Sequence, residues 1–197
     1  MNNITTNCQE SQSPQNNELL HSKSHQKHSL FTIHYSLLYC PSPLGPIGIV
    51  AENDNAVTEV FFTGRGRLNY EYTEEETPLL LETAKQLTEY FAGERHDFDL
   101  PLAPSGTPFQ MAAWQALCTI PYGETRSYRD MAIAVGNPKA CRAIGMANNR
   151  NPITIIIPCH RVIGADGSLV GYGSGLENKK FLLTLEQGKL RSQGNRD

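Results

Sequence analysis

Apolar and polar positions alternate between residues 31 and 63, and a period of two predicts β-strands with one buried face. The runs that carry this pattern are residues 31–35, 46–50 and 56–62. Turn residues at 41–45 separate the first two runs, and the polar segment 52–55 predicts a hairpin loop between the last two. This part of the chain is therefore expected to form the strands of a small sheet.

Helical spacing replaces the alternation after residue 77. Thr77 predicts an N-cap with Pro78 as the first helical residue, and Gly93 marks the end of that helix. A second helix is expected to begin after Thr107, where Thr-Pro-Phe-Gln is a capping box, and to run to about Ile120. One helix thus closes the first half of the chain and another opens the second half.

Two shorter helices are predicted next, in close succession. Ser127 caps the first, which is expected to stop at Gly136. Asn137 is interpreted as the cap of the next, which starts at Pro138 and reaches about Asn149. Two short helices joined by a glycine-containing turn are a helix-turn-helix pattern, although such a pair is more often ordinary packing than DNA binding.

The order of these elements predicts an α/β fold in two parts. A small N-terminal α/β domain covers residues 31–102, and a mostly helical C-terminal domain covers residues 103–190. Residues 1–30 contain few apolar side chains, so they are expected to be a disordered tail, and residues 191–197 form a second tail.

Composition narrows the class of protein. The chain has 197 residues, 39% hydrophobic and 19% charged, which is typical of a globular protein, and no run approaches the ~20 apolar residues of a membrane span. The N-terminus lacks the apolar region of a secretory signal. Five cysteines without a CxxC pair indicate a reducing compartment and at least one free thiol, so we expect a cytoplasmic protein, or a nuclear one in a eukaryote.

The net charge of the two halves differs in sign. Residues 1–102 carry 6 Lys and Arg against 14 Asp and Glu, which gives −8, whereas residues 103–197 carry 11 against 6, which gives +5. A polyanionic partner such as a nucleic acid would therefore meet the second half of the chain and be repelled by the first.

Histidines in the first tail are a weak candidate for a metal site. His21, His25 and His28 are closely spaced with Cys8 upstream, but no second cluster of ligands accompanies them. No bound metal is therefore expected.

The segment 151–164 carries the most informative chemistry, because an apolar β-branched run ends in Pro158-Cys159-His160. A thiol becomes a nucleophile when a base or a positive charge favours its thiolate, and His160 could be that base. Adjacent residues on an extended chain point in opposite directions, so we expect the imidazole to act through a bridging water, with a carboxylate orienting it. Taken alone, a Cys-His pair is weak evidence, since structural buried cysteines are common.

Small residues recur along the second of the two short helices. Ala140, Ala143 and Ala147 have helical spacing, with Gly145 and Arg142 beside them. Small side chains let a helix backbone approach another surface closely. This pattern fits ordinary helix–helix packing or, alternatively, a nucleic-acid groove with one inserted arginine.

Three groups of motifs occur in order along the second half. They are Pro121-Tyr122-Gly123-Glu124-Thr125 with Ser127-Tyr128, then Asn137-Pro138-Lys139-Ala140 with Cys141-Arg142-Ala143-Ile144-Gly145, then Asn151-Pro152 followed by Pro158-Cys159-His160-Arg161. Together they resemble the O6-alkylguanine-DNA alkyltransferases, or methylated-DNA–protein-cysteine methyltransferases. The resemblance covers about residues 104–188 and continues more faintly through residues 42–45 and the first domain. Several motifs in the right order and spacing make it specific.

This resemblance implies DNA repair by direct reversal of damage. An alkyl group passes once and irreversibly from O6-alkylguanine, flipped out of duplex DNA, to Cys159, which leaves S-alkylcysteine and an inactivated protein. The implied partner is double-stranded DNA containing O6-alkylguanine, and the protein is expected to be a monomer that needs no cofactor and no membrane. The implied fold is a ribonuclease H-like α/β domain followed by a mostly helical domain that carries the helix-turn-helix and the cysteine. Repair of O4-alkylthymine stays open.

Roles in the transfer also follow from the resemblance. Cys159 is the alkyl acceptor, and His160, acting through water, is its base. Glu186 holds the imidazole, and Asn151 fixes the turn before the active-site strand. Tyr128 helps to rotate the nucleotide and donates its hydroxyl proton to the departing guanine.

The resemblance further implies a recognition helix in the minor groove, with Arg142 filling the gap left by the flipped base. The residues implied at the DNA surface are Arg142, Tyr128, Ala140, Ala143 and Gly145. Those implied at the substrate pocket are Val162, Tyr172, Gly173, Ser174, Thr154 and Trp114. Thr154 stands where some relatives have proline, which leaves acceptance of bulky alkyl groups open. Glu52 stands near an expected zinc-ligand cysteine, so no zinc is predicted.

Four other interpretations compete with alkyl transfer. A protein that binds alkylated DNA without repairing it would lack the nucleophile, yet Cys159 is present. A helix-turn-helix transcription regulator would need an effector or dimerisation domain, and none is visible. A Cys-His hydrolase would turn over repeatedly and needs oxyanion donors that are not evident. The fourth is a structural module with a core cysteine, and alkylation of the thiol by substrate DNA separates all four from alkyl transfer.

Overall fold

A four-stranded mixed sheet forms the frame of the first half in this computed structural model, which describes residues 33–64 and 71–188. Its strands are β1 (Tyr35–Cys40), β2 (Ile47–Glu52), β3 (Ala56–Phe62) and β4 (Thr73–Glu74), in the order β3-β2-β1-β4. The β1–β2 and β2–β3 pairs are antiparallel, whereas β1 and β4 are parallel. The predicted tails, residues 1–30 and 191–197, and the histidines of the first tail lie outside the described residues.

The second and third strands lie where the alternating pattern predicted them, whereas residues 31 and 32 of the first predicted run lie outside the described residues. β1 begins where the predicted run 31–35 ends, because pairing with β2, from Tyr35 opposite Glu52 onward, decides its position. The predicted hairpin loop is confirmed, and Asn53 and Asp54 turn it with φ angles of 50° and 52°, which these two residue types tolerate. β4 was not predicted, since two residues carry no period and depend on a distant partner strand.

One helix, α1 (Pro78–Phe91), packs against this sheet. It begins as the sequence predicted, with the Thr77 hydroxyl accepting a hydrogen bond from the Leu80 N–H. The same hydroxyl donates to the Asp54 carboxylate, which ties the helix start to the β2–β3 hairpin. Tyr90, the last residue but one of this helix, is fully buried, and its hydroxyl donates to Glu186 in the second half.

Within the described residues, the second half contains four α-helices and a two-stranded parallel pair. The helices are α2 (Pro108–Cys118), α3 (Tyr128–Ala134), α4 (Cys141–Asn149) and α5 (Leu176–Glu186). The strands are β5 (Arg126–Ser127) and β6 (Val162–Ile163), and one turn of 3-10 helix, Cys159–Arg161, stands directly before β6. α3 and α4 pack against each other as the predicted helix-turn-helix pair, and α2 packs against both.

Side-chain caps start α2 and α3 as predicted. Thr107 and Gln110 satisfy each other's backbone N–H groups in a capping box. Ser127 and Asp130 form the same reciprocal arrangement at α3. Each box satisfies donors that the first helical turn leaves without partners, so the local sequence alone determines where these helices begin.

The predicted start of α4 was wrong. Ala140, not Asn137, is its N-cap residue, and no side chain caps it. Asn137 instead belongs to the end of α3, because its N–H donates to the Ala132 carbonyl (2.9 Å) after Gly136 turns the chain with a φ of 76°. α4 is therefore shorter than expected and begins at Cys141.

The apolar run before Cys159 forms a turn and not the expected strand. The Ile157 N–H donates to the Ile153 carbonyl (3.0 Å), and Ile155 has a φ of 75°, a left-handed conformation that β-branched residues rarely adopt. Val60 of β3 pairs with Ile153 through two flanking backbone hydrogen bonds of 2.9 Å each. Docking onto β3 therefore overrides the strand propensity of this run.

The described residues belong to one compact unit with a shared hydrophobic core. Val57 of β3 forms a parallel bridge with Leu102, at the predicted boundary between residues 31–102 and 103–190. That domain boundary stays a prediction, but the two halves contact each other through β3 and α1, and this contact positions the site.

Candidate active site

Cys159 lies at a cavity of about 370 Å³ and is 4% exposed. Asn151 holds it from one side, since its Nδ2 donates to the Cys159 Sγ (3.3 Å) and to the Ile157 carbonyl (2.7 Å). The Oδ1 of the same side chain accepts from the Ile153 N–H (3.1 Å). Asn151 thus fixes the turn that carries the thiol, in the place where the resemblance puts it.

Glu186 is the centre of a buried hydrogen-bond network next to the thiol. Its Oε1 lies 2.7 Å from His160 Nε2, and both side chains are fully buried. Arg161 donates to both carboxylate oxygens, from Nε to Oε2 at 2.9 Å and from Nη2 to Oε1 at 3.0 Å. The Tyr90 hydroxyl donates to Oε1 (2.8 Å) and the Gly123 N–H to Oε2 (3.1 Å). The carboxylate predicted to orient the imidazole is therefore present, and three further donors hold it in place.

The network keeps Glu186 ionised. Burial raises the pKa of this carboxyl group, but hydrogen bonds and charge from His160 and Arg161 outweigh it and lower the pKa to about 2. The pKa of His160 is lowered, because the cost of burying a charged imidazole exceeds the attraction of Glu186. His160 is therefore neutral at rest, and its buried Nδ1 has no hydrogen-bond partner among the described residues. A neutral imidazole with one unoccupied nitrogen can accept a proton.

The thiol itself is not activated at rest. Burial raises the pKa of Cys159, and the Asn151 hydrogen bond and the charge of Lys179 compensate only in part. Lys179 is fully buried, and its Nζ donates to the Val162 carbonyl (2.5 Å) and the Val170 carbonyl (2.9 Å). Burial lowers the pKa of Lys179 to about 8. At neutral pH the thiol is therefore protonated.

Tyr128 begins α3 and does not line the cavity, although it lies near enough to Cys159 to interact with it electrostatically. Its hydroxyl donates to the carbonyls of Val170 (2.9 Å) and Gly171 (3.2 Å). Its ring packs beside Gly145 of α4, where an added Cβ would lie 3.7 Å from Cε1. Burial and the nearby Cys159 raise the pKa of Tyr128, so its hydroxyl keeps its proton and can donate it.

The small residues at 140–147, in and directly before α4, are only partly exposed to solvent. Ala140 and Ala147 are buried in the core, so the packing interpretation applies to them, because α2 and α3 cover this side of α4. Ala143 and Gly145 are half-buried, and Arg142 is exposed. Of the residues implied at the DNA surface, Arg142 is thus the freest to reach a ligand, and Ala140 is not.

The cavity brings together four of the six residues implied at the substrate pocket. These are Thr154, Tyr172, Gly173 and Ser174. Trp114 is not at the cavity, because it is buried between α2 and α4 with its Nε1 donating to the Ala147 carbonyl (3.0 Å). Val162 is also absent from the lining, and its carbonyl accepts from Lys179.

Several functional contacts were missed from the sequence. Tyr90, Arg161 and Lys179 are buried polar groups around the site, and Glu59 and Phe61 of β3 line the cavity from the first half. Arg161 is part of the motif Pro158-Cys159-His160-Arg161, so the sequence did contain a signal for it. The others had no local signal, since only the fold brings β3, α1 and α5 next to Cys159.

The part of the chain at 33–64 and 71–188 contains no group of three or more His, Cys, Asp and Glu side chains that could hold a metal ion. Its four cysteines are free thiols. None of its helices combines the length and the apolar character needed to cross a membrane.

Two family models match consecutive parts of the chain. Residues 33–104 match the ribonuclease-like domain of 6-O-methylguanine DNA methyltransferase, and residues 108–188 match the DNA-binding domain of the same enzyme. The Methanosarcina barkeri methylated-DNA–protein-cysteine methyltransferase is 53% identical over 152 residues, which are 76% of this chain and 96% of that protein. The constitutive Bacillus subtilis enzyme is 51% identical over 152 residues, 74% and 92% of the two chains.

Solved structures agree with this assignment. The crystal structure of Mycobacterium tuberculosis OGT in complex with DNA is 43% identical, covers 78% of this chain and 94% of its own, and superimposes with a TM-score of 0.72. The Mycobacterium tuberculosis O6-methylguanine methyltransferase is 42% identical, covers 80% and 94%, and gives a TM-score of 0.70. The predicted α/β first domain and mostly helical DNA-binding second domain are confirmed. The chain belongs to the family of methylated-DNA–protein-cysteine methyltransferases, which repair O6-methylguanine in DNA.

Proposed function

We propose that Cys159 Sγ is the atom that accepts the alkyl group in this methyltransferase. The observation that carries this assignment is a buried thiol at a cavity, beside an imidazole whose Nε2 is held by Glu186 and whose Nδ1 is unoccupied. The other three cysteines of the described residues have no such neighbour: Cys40 lies in β1, Cys118 ends α2, and Cys141 begins α4.

The proton of Cys159 has one suitable acceptor. His160 Nδ1 is buried and neutral, so a water between it and Sγ would carry the thiol proton to the imidazole. Glu186 then stabilises the imidazolium, and its own low pKa ensures that it stays a carboxylate. The raised pKa of Cys159 fits a thiolate that forms only during the reaction.

The transfer is a displacement at an sp³ carbon. The Sγ–C bond forms as the C–O6 bond breaks, and the bonding electron pair leaves with guanine. The Tyr128 hydroxyl supplies a proton to the departing base, and the proton held on His160 returns to that hydroxyl through solvent, so in net balance hydrogen replaces the alkyl group on guanine. Thiol and substrate supply every atom, so no cofactor takes part, and the stable thioether ends the activity of that molecule.

The buried position of Cys159 requires the substrate base to leave the duplex, because its reacting carbon cannot reach the thiol from within the base stack. Arg142, exposed on α4, fills the gap that the base leaves behind. The substrate is therefore double-stranded DNA with O6-alkylguanine, and a monomer suffices because each lesion consumes one protein.

A titration tests this proposal. A fixed amount of protein is mixed with excess duplex containing one O6-methylguanine, and the methyl groups lost from DNA are counted per protein. We expect one per molecule for the unaltered protein and for Cys118→Ser, and none for Cys159→Ser with DNA binding retained. More than one per molecule would show turnover, as in a hydrolase, and transfer by Cys159→Ser would place the acceptor elsewhere.

A further inference from the structure

Glu186 receives one of its hydrogen bonds from the first half of the chain. The Tyr90 hydroxyl donates to Oε1 at 2.8 Å, and His160 Nε2 lies 2.7 Å from the same oxygen. We propose that Tyr90 is a positioning residue that sets how strongly Glu186 attracts the proton of His160, and that the ribonuclease-like half thereby takes part in alkyl transfer. The inference rests on the proposed role of His160 as the base for Cys159.

The position of the Tyr90 hydroxyl is fixed by packing. Tyr90 is fully buried in α1, and its ring contacts Phe91 and Phe98, each with centroids 5.5 Å away, and Tyr122 at 6.1 Å. Because the hydroxyl cannot reach water, it needs an acceptor inside the protein, and Glu186 is that acceptor. Burial and the negative charge of Glu186 both raise the pKa of Tyr90, so the hydroxyl remains a neutral donor.

Several donors share Oε1 of Glu186, and each of them weakens the hydrogen bonds that the others form with that oxygen. A donor to a carboxylate stabilises its negative charge and so reduces its pull on a neighbouring proton. Without the Tyr90 hydroxyl, Oε1 would interact with His160 and Arg161 alone. The attraction between Glu186 and a protonated imidazole would then be stronger, and the pKa of His160 would rise.

The other titratable groups around His160 come from elements other than α1, so loss of the Tyr90 hydroxyl removes none of them. Arg161 and Cys159 belong to the same turn, and Lys179 and Glu186 come from α5. Tyr172, in the loop before α5, also interacts with Cys159 and Glu186. α2 packs against the turn and contributes only the Cys118 thiol as a titratable group. Tyr90 is therefore the group through which α1 acts on the imidazole.

The direction of the effect follows from the role of the base. Only neutral His160 accepts the thiol proton, so the transfer rate falls as pH drops through the pKa of His160. Tyr90→Phe raises that pKa and moves the acid limb of the pH–rate profile to higher pH. We expect the midpoint to move up by about half a pH unit. At a pH below the midpoints of both proteins, Tyr90→Phe should then react roughly threefold more slowly than the unaltered protein, and at higher pH the two rates should converge.

The test is the single-turnover rate of methyl transfer from an O6-methylguanine duplex between pH 5 and 9, for the unaltered protein, Tyr90→Phe and Phe98→Leu. Phe98→Leu disturbs packing against the Tyr90 ring and leaves the hydroxyl in place. The inference predicts a shifted midpoint for Tyr90→Phe alone, with unchanged DNA affinity. A uniform loss of rate without a shifted midpoint, or no change at all, overturns it.

Two further measurements keep the inference separable from folding and from the proposed function. Replacement of Tyr90 by 3-fluorotyrosine keeps the ring and makes the hydroxyl a stronger donor, so the midpoint should move to lower pH. An unmoved midpoint in that protein overturns the inference even if Tyr90→Phe does not fold. Absence of transfer by the unaltered protein at every pH would instead contradict the role of Cys159.

Discussion

Replacing Glu186 by glutamine should destabilise the protein far more than an ordinary surface substitution. The pKa of Glu186 is lowered from 4.5 to about 2, and a difference of this size corresponds to about 3 kcal/mol of folding free energy at neutral pH. Glutamine also leaves Arg161 buried without a counter-charge, and breaking a buried ion pair costs about 3–5 kcal/mol. A loss of about 3–5 kcal/mol in a chain of this size should lower the melting temperature of Glu186→Gln by roughly 6–20 °C.

The assay is thermal or urea unfolding, with Glu177→Gln as the matched control, since Glu177 lies exposed on the same helix. The control should change stability by less than about 0.5 kcal/mol. Because the folded pKa of Glu186 lies below the unfolded value, its contribution is fully present above pH 4.5 and is lost as pH falls towards 2. The difference between the two proteins should therefore persist from pH 7 to 5. A difference that narrows over that range, or a Glu186→Gln melting temperature equal to that of the control, would refute this reasoning.

Three other substitutions probe separate parts of the site. Lys179→Met leaves the Val162 and Val170 carbonyls without their buried donor and should cost about 2–4 kcal/mol in urea unfolding at pH 7. Because the pKa of Lys179 is lowered from 10.5 to about 8, the unaltered protein should gain stability relative to this variant as pH rises from 8 to 10.5. A difference that stays constant over this range would contradict the burial of the Lys179 charge. Asn151→Ala removes the hydrogen bonds to the Ile157 carbonyl and to Cys159 Sγ, so the transfer rate should fall about 10-fold or more. DNA affinity, measured by fluorescence anisotropy, should be retained. An unchanged transfer rate would mean that the turn before Cys159 keeps its conformation without Asn151. Arg142→Ala should slow repair in duplex DNA more than transfer from a free alkylated base, and equal loss on both substrates would count against its place in the base stack.

Local signals predicted the elements that depend on neighbours in sequence. The capping boxes at Thr107 and Ser127 were read correctly because every atom that forms them lies within four residues. The run from Ile153 to Ile157 has the composition of a strand but forms a turn, because it is held by hydrogen bonds to Val60, almost a hundred residues earlier. Asn137 was misassigned as a cap, since its sequence suits a helix start as well as the closing turn of α3 that it forms.

The active site was also predictable from the sequence only where its residues lie close together along the chain. The Cys-His pair and the motifs around it were sufficient to locate the acceptor thiol and to identify the family. Glu186 was assigned only through resemblance, and its partner Tyr90 is 96 residues away in sequence. Buried polar residues such as Tyr90 and Lys179 have no distinct pattern in a sequence, because an isolated tyrosine or lysine in a helix is usually a packing or surface residue.

The most direct test of the account is the mass of the peptide that contains Cys159 after reaction. The protein is incubated with a duplex carrying one O6-methylguanine, without added cofactor, then digested and analysed by mass spectrometry. We expect a stoichiometric gain of one methyl group on Cys159 and none on Cys40, Cys118 or Cys141. A protein that binds the duplex while Cys159 stays unmodified, or a methyl group found on another cysteine, would contradict it.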